Sequence, residues 1–270
     1  MSALDLRPIM GRSPLAWFVA DGWVVCKRNL TRTVRTPQFV IFSALHPVVF
    51  ILIFAYILGG SIDVGPGVDY VDFLMPGIFV QTLVFSAMGT GVGLAEDLAR
   101  GLIDRFHSLP MSRAAMLTGR TLSDLIRNTF VIAVMFFVGL AVGFRFGDTT
   151  VPAVLAGLGL MLLFSYAFSW VSAFMGLAAG SSEAAQSAGF IWVFPLVFTS
   201  STFVRVDTLP GWLQPFAEHQ PMTSVVDATR ALFLGGPVAN DLIGALVWSV
   251  VILVIFGLLA SHAYRRATIR

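Results

Sequence analysis

The sequence predicts an all-α integral membrane protein with six transmembrane helices and both termini in the cytoplasm, on three observations. Of the 270 residues, 57% are hydrophobic and only 12% charged, about half the charged share of a soluble domain, so most of the surface does not face water. Six stretches reach or approach the ~20 apolar residues that a helix needs to cross the hydrocarbon core, and none shows the period-two alternation of a membrane β-barrel. Fourteen of the 17 basic residues fall on one side if both ends are placed inside. That is the asymmetry of the positive-inside rule. The net charge of +2 adds little to this.

In chain order, residues 1–37 form a cytoplasmic segment. Met1 to Pro14 lacks the apolar core of a cleaved signal peptide, so the first span is expected to stay in the mature chain. Within residues 15–36, Val19, Trp23, Cys26, Leu30 and Thr33 recur at 4-3-4-3 spacing beside Lys27, Arg28, Arg32 and Arg35. This is the pattern of an amphipathic helix in the headgroup layer, with Trp at the interface and cations toward anionic lipid. Pro37 ends it. The transmembrane domain, 38–266, then carries spans at about 39–59, 73–94, 124–144, 153–176, 184–204 and 242–263, and 267–270 is a cytoplasmic tail. Arg100, Arg105, Arg113, Arg120 and Arg127 mark the inner side between the second and third spans, and Asp63, Asp69 and Asp72 lie in an outer loop without a basic residue.

The segment 94–113 does not span. Glu96, Asp97, Arg100, Asp104 and Arg105 crowd into ten positions, and five charges would together cost over ~10 kcal/mol at the bilayer centre. Read as a helix, it carries Leu94, Leu98, Leu102, Phe106 and Leu109 in one apolar stripe, with Glu96 able to pair with Arg100. Pro110 stops it. A surface helix that merely joins two spans and a docking element for a cytoplasmic partner both satisfy this pattern.

Residues 205–240 are rich in turn formers, and Met222–Leu234 reads as a helix too short to span. A re-entrant segment before the last span and an ordered outer loop remain open, with Asp227 and Arg230 a structural ion pair at i,i+3. Inside the spans, Thr82, Ser86 and Thr90, the Gly89–Gly93 GxxxG, and Ser165, Ser169, Ala173 and Gly176 read as helix-packing faces. His46, before Pro47, is expected at a kink as a hydrogen-bonded neutral ring, and Pro195 should kink the fifth span.

Several function classes are disfavoured. The sole lysine, Lys27, is not in a GxxxxGK[ST] context, so no P-loop is present. There is no GxSxG and no HExxH, Cys26 stands alone, and four scattered His offer no metal cluster. No catalytic residue, metal or cofactor is expected. An ion-gradient-driven secondary transporter calls for charges near the midplane, and these spans are nearly charge-free. It and a non-transporting assembly subunit stand as the alternatives.

The chain resembles the permease subunits of type-2 ABC exporters, in particular their daunorubicin/doxorubicin-resistance branch. Tyr70, Phe73, Leu74, Pro76 and Gly77 are similar to that family's Y-x-x-F-L-x-P-G entry to the second span. Glu96, Gly101, Arg105, Leu109, Pro110, Ser112, Arg113, Gly119 and Arg120 are similar to its E…G…R…LP-x-SR…GR signature. Pro210, Trp212, Leu213, Pro215, Gln220, Pro221, Thr223 and Arg230 are similar to its late segment, with Gln220 in place of the common Asn. The resemblance implies a coupling helix at about 95–109 that docks into a cytoplasmic ATPase through Leu98, Leu102, Phe106 and Leu109, with Arg105 and Arg113 beside them. It also implies an interface helix around Trp23 and Leu30 that flanks the ATPase. Two ATPase copies, a second permease and membrane lipid are the implied partners, with no nucleic acid. The implied substrate is amphipathic, drug-like or lipid-like, and sixteen Arg against one Lys fits the plasma membrane of a GC-rich bacterium.

Overall fold

The structure, a computed structural model, describes residues 14–35, 45, 47–58, 69–101 and 113–267. Every regular element among them is helical. The helices are α1 (Pro14–Val34), α2 (Pro47–Ile57, with a π-helical end over Ile53–Leu58), α3 (Tyr70–Ala99), α4 (Arg113–Val142), α5 (Val151–Ala179), α6 (Ser182–Phe198), α7 (Gln214–His219), α8 (Pro221–Leu234) and α9 (Ala239–Ala267). Residues 39–44 and 59 of the expected first span lie outside the described residues, as does His46.

Among the described residues, four helices are long and apolar enough to cross a membrane: Tyr70–Ala99, Leu117–Val142, Val151–Ala179 and Ala239–Arg266. The stretch expected to span as 184–204 is shorter than its hydropathy suggests. Its helix α6 has 17 residues, about 25 Å at 1.5 Å per residue, against a hydrocarbon core of ~30 Å. The early stop comes from hydroxyls. Thr199 Oγ1 donates to the Pro195 carbonyl at 2.6 Å and Ser200 Oγ to that of Val197 at 2.6 Å, which satisfies the last carbonyls of the helix and releases the chain into a turn.

Helix α3 is the hub and packs against α2, α4, α5, α6 and α8. Its crossing with α5 is close because both sides lack a Cβ. A Cβ on Gly91 would sit 2.3 Å from the Ser172 carbonyl oxygen, and one on Gly176 would sit 2.2 Å from that of Gly91. The small-residue face expected on α5 therefore does pack, but its partner is Gly91. Gly89 of the GxxxG faces nothing within 4 Å, and Gly93 lies against the Arg120 guanidinium. One large apolar core joins α3 to α4, α5, α6, α8 and α9. A second, smaller cluster gathers Leu94, Leu117, Trp170, Leu177 and Tyr264 at the other end.

Helix α1 lies along α4. The contact again needs small groups: a Cβ on Gly119 would fall 2.4 Å from the Gly22 carbonyl oxygen. Gly22, Val25 and Cys26 form the buried edge, while Val19 and Trp23 point away at 65% and 55% exposure. The expected stripe from Val19 through Cys26 is thus two faces. The edge with glycine goes to α4 because only there can the backbones approach.

Candidate functional site

The segment with the strongest docking pattern begins where α3 ends. The helix runs without a break through Leu94 and Leu98 to Ala99. The Arg100 and Gly101 amides then close onto the Glu96 and Leu98 carbonyls at 3.0 Å, and Gly101 takes a φ of +63°, the left-handed stop that glycine accepts most easily. Among the described residues the expected stripe is present through Leu94 and Leu98, and α3 closes at Gly101. Leu98 sits on the last turn of α3, partly buried against the smaller core cluster, and Arg113 is the first residue of α4. Leu102, Arg105, Phe106 and Leu109 lie outside the described residues. Glu96 and Arg100 do pair, at 3.4 Å.

At this same end the two helices are tied together by buried charge, which composition did not reveal. Asp97 of α3, only 1% exposed, is ion-paired with Arg120 of α4. One turn deeper, Thr90 donates to Asp124, which pairs with Arg127 at 2.8 Å. Arg127 also donates to the carbonyl and the hydroxyl of Ser86, both at 3.2 Å. Ser86 Oγ donates to Asn128 Oδ1 at 2.6 Å, and Asn128 Nδ2 to Ser165 Oγ of α5 at 2.7 Å. The expected Ser86–Thr90 stripe is thus a packing face, polar and aimed at α4. Charges this deep persist only when paired and hydrogen-bonded. The sequence signal was the fourfold spacing on α3 opposite Asp124 and Asn128, with nothing to say that the two faces meet.

On α1, Trp23 and Leu30 line an open groove of about 300 Å³ together with Lys27, Thr31 and Arg35. Behind it Cys26 is fully buried. Burial first, and then the Asp124 carboxylate, push its thiol pKa up from the ordinary 9.0.

The far end is locked differently. Arg230 of α8 donates to the Phe73 carbonyl at 3.0 Å and the Ser201 carbonyl at 2.8 Å, and it pairs with Asp227 at 2.5 Å. Its guanidinium carbon lies 3.8 Å from the centroid of the Phe73 ring. Ser201 Oγ donates to Asp227 at 2.7 Å. The expected ion pair is present, and it fastens α8 to α3 and to the turn after α6. Trp212 and Phe216, on and beside α7, are exposed. On α3 and the first turn of α8, three buried polar atoms have no partner among the described residues: Gln81 Oε1, Gln220 Oε1 and Thr223 Oγ1. Each such atom typically costs ~1–3 kcal/mol.

A run of aromatic rings adjoins them. Phe190, Phe194 and Phe198 recur every fourth residue on α6, with centroids 5.6 and 5.4 Å apart. Phe85 of α3 meets Phe194 edge-on at 5.7 Å, and Phe203 joins Phe198 at 5.4 Å and Phe54 at 4.3 Å. The spacing of four was visible in the sequence; the partners from α2 and α3 were not.

Together these features define a multi-pass α-helical membrane protein with a charged tie at one end and a clasped pair of short helices at the other. The sequence pattern of the ABC-2 type transporter family matches residues 21–234, and the chain belongs to that family. It is 32% identical over 229 residues to the daunorubicin resistance ABC transporter permease protein DrrB1 of Streptomyces coeruleorubidus, covering 85% of this chain and 80% of that one. It is 28% identical over 251 residues to the probable doxorubicin resistance ABC transporter permease protein DrrC of Mycobacterium tuberculosis, covering 93% and 90%. The putative transport permease ycf38 of Cyanophora paradoxa is 22% identical over 229 residues, covering 80% and 75%.

Proposed function

We propose that this chain is the membrane half of an ATP-driven exporter, moving amphipathic, drug-like or lipid-like molecules out of the cytoplasm or the inner leaflet. ATP is hydrolysed on a separate subunit, one copy of which docks on each permease. Two permeases, identical or similar, line the path between them. The six-span arrangement with both ends inside, the coupling role of Leu98, Leu102, Arg105, Phe106, Leu109 and Arg113, and the flanking role of Trp23 and Leu30 belong to this reading.

The observation that carries it is the Asp97–Arg120 tie. The charged amphipathic stretch after Gly101 is bracketed by two helices that are ion-paired to each other at that end. A push delivered to the bracket moves α3 and α4 together, and α1, packed on α4, moves with them. An ion-gradient carrier, by contrast, works from titratable groups open to a water-filled path. Asp97 and Asp124 are buried and ion-paired.

Vesicles containing the permease and its ATPase test the proposal. Export should require hydrolysable ATP and should persist when the proton gradient is collapsed. Transport by the permease alone, driven by that gradient, contradicts it.

A further inference from the structure

Three unpartnered polar atoms, Gln81 Oε1, Gln220 Oε1 and Thr223 Oγ1, belong to the two helices that pack around the turn after α6. Gly77 and Phe85 lie four residues to either side of Gln81 on α3, so all three share a face. That face meets the end of α6. A Cβ on Gly77 would sit 2.6 Å from the Thr202 carbonyl oxygen, and the Phe85 ring lies 6.3 Å from that of Phe190. Gln81, 2% exposed, therefore stands between the Thr199–Thr202 turn and the phenylalanine run. From the other side, Gln220 donates through Nε2 to Thr199 Oγ1 at 3.2 Å. Thr223 lies one turn before Asp227, which bonds Ser201. Gln220 and Thr223 are 3% and 4% exposed.

An amide oxygen on each of two sides and one hydroxyl thus remain unsatisfied where α3, α8 and the turn after α6 meet. Nearly all buried polar side-chain atoms find partners. Three of the exceptions among the described residues lie on α3 and at the start of α8, beside the turn that follows the apolar helix α6, and they single it out. The half-exposed rings of Phe190, Phe194 and Phe198 lead along α6 to the same turn.

We propose that Gln81, Gln220 and Thr223 form a head-group subsite of the exporter for amphipathic substrates that carry N–H or O–H donors. The proposal rests on the permease reading above. Two carbonyl acceptors call for donors, and the phenylalanine run offers π faces to a flat apolar or cationic body. The Arg230–Asp227 clasp holds the later turns of α8 in place, so its first turn, with Gln220 and Thr223, is the part that must part from α3 to admit a ligand.

Two probes with the same planar cationic ring system, one with N–H donors and one without, test this, using the permease with its ATPase in inside-out vesicles of phosphatidylcholine and phosphatidylglycerol. One is a rhodamine methyl ester with unsubstituted amino groups; the other is its tetra-N-methyl counterpart, an equally planar cation without N–H. The wild type should half-saturate at about tenfold lower concentration of the N–H probe, the scale of one satisfied buried acceptor. The double change Gln81→Leu, Gln220→Leu, and separately Thr223→Val, should remove that preference. Transport of the methylated probe should change far less than that of the N–H probe, and Thr223→Val, which removes only an unpaired hydroxyl, should not lower the thermal midpoint. Equal shifts for both probes, no shift for either, or a lowered midpoint for Thr223→Val would overturn the subsite while leaving the permease reading intact. ATP hydrolysis without uptake of either probe by the wild type would overturn both.

Discussion

Asp97 and Arg120 show what a buried pair demands of its neighbours. Taking either partner away strands a charge in the core, which typically costs ~3–5 kcal/mol, whereas replacing both with apolar side chains is often neutral. Arg120→Met should therefore lower the detergent unfolding midpoint sharply, and adding Asp97→Leu should recover most of the loss. Cys26 is a second residue with a measurable signature. Its thiol is raised by burial, so the unfolded chain gives up its proton first as pH climbs. The contribution to stability is fully present below the ordinary value of 9.0 and is lost progressively as pH rises above it toward the folded value. Alkylation of Cys26 followed against pH should lag a free thiol around pH 9 and catch up once the protein is unfolded.

At the element scale, the packing of α3 on α5 depends on which glycine faces the neighbour. Gly91→Ala places a methyl group against the Ser172 carbonyl and should cost roughly 1–3 kcal/mol as overpacking. Gly89→Ala, facing open space, should be neutral or stabilise by up to ~1 kcal/mol through helix propensity. Thermal unfolding of the two variants side by side checks the assignment. It also explains what was legible in the sequence. Long apolar helices such as α5 and α9 are read well, because hydropathy averages over some twenty residues and crossing a bilayer forbids charge along that length. The partner of Gly176 was not legible, since a GxxxG pattern states that a close face exists without saying which glycines use it. The end of α6 was missed for a related reason. Thr199, Ser200, Ser201 and Thr202 carry no charge and pass as span, yet the hydroxyls of Thr199 and Ser200 turn back onto the last turn of the helix where it ends. The Asp227–Arg230 pair was legible because i,i+3 spacing on a short helix is local information, while its grip on Phe73, 157 positions away, is not.

At the scale of the whole molecule, the charged tie, α1, the end of α3 and the start of α4 sit at one end of the bundle, and the α8 clasp sits at the other. In the proposed exporter, force enters at one end and release is controlled at the other. The central claim is that residues 102–109 receive that force by docking into an ATPase. Leu102 and Phe106 would then be buried anchors, each typically worth over 1 kcal/mol and at a hot spot 2 kcal/mol or more. The decisive measurement is the amount of ATPase recovered per membrane-inserted permease for the double change Leu102→Ala, Phe106→Ala, with His107→Ala as the control. The account predicts recovery weakened by at least about tenfold, with insertion unchanged and the control near wild type. Undiminished recovery by the double variant would contradict it and leave the stretch as a linker.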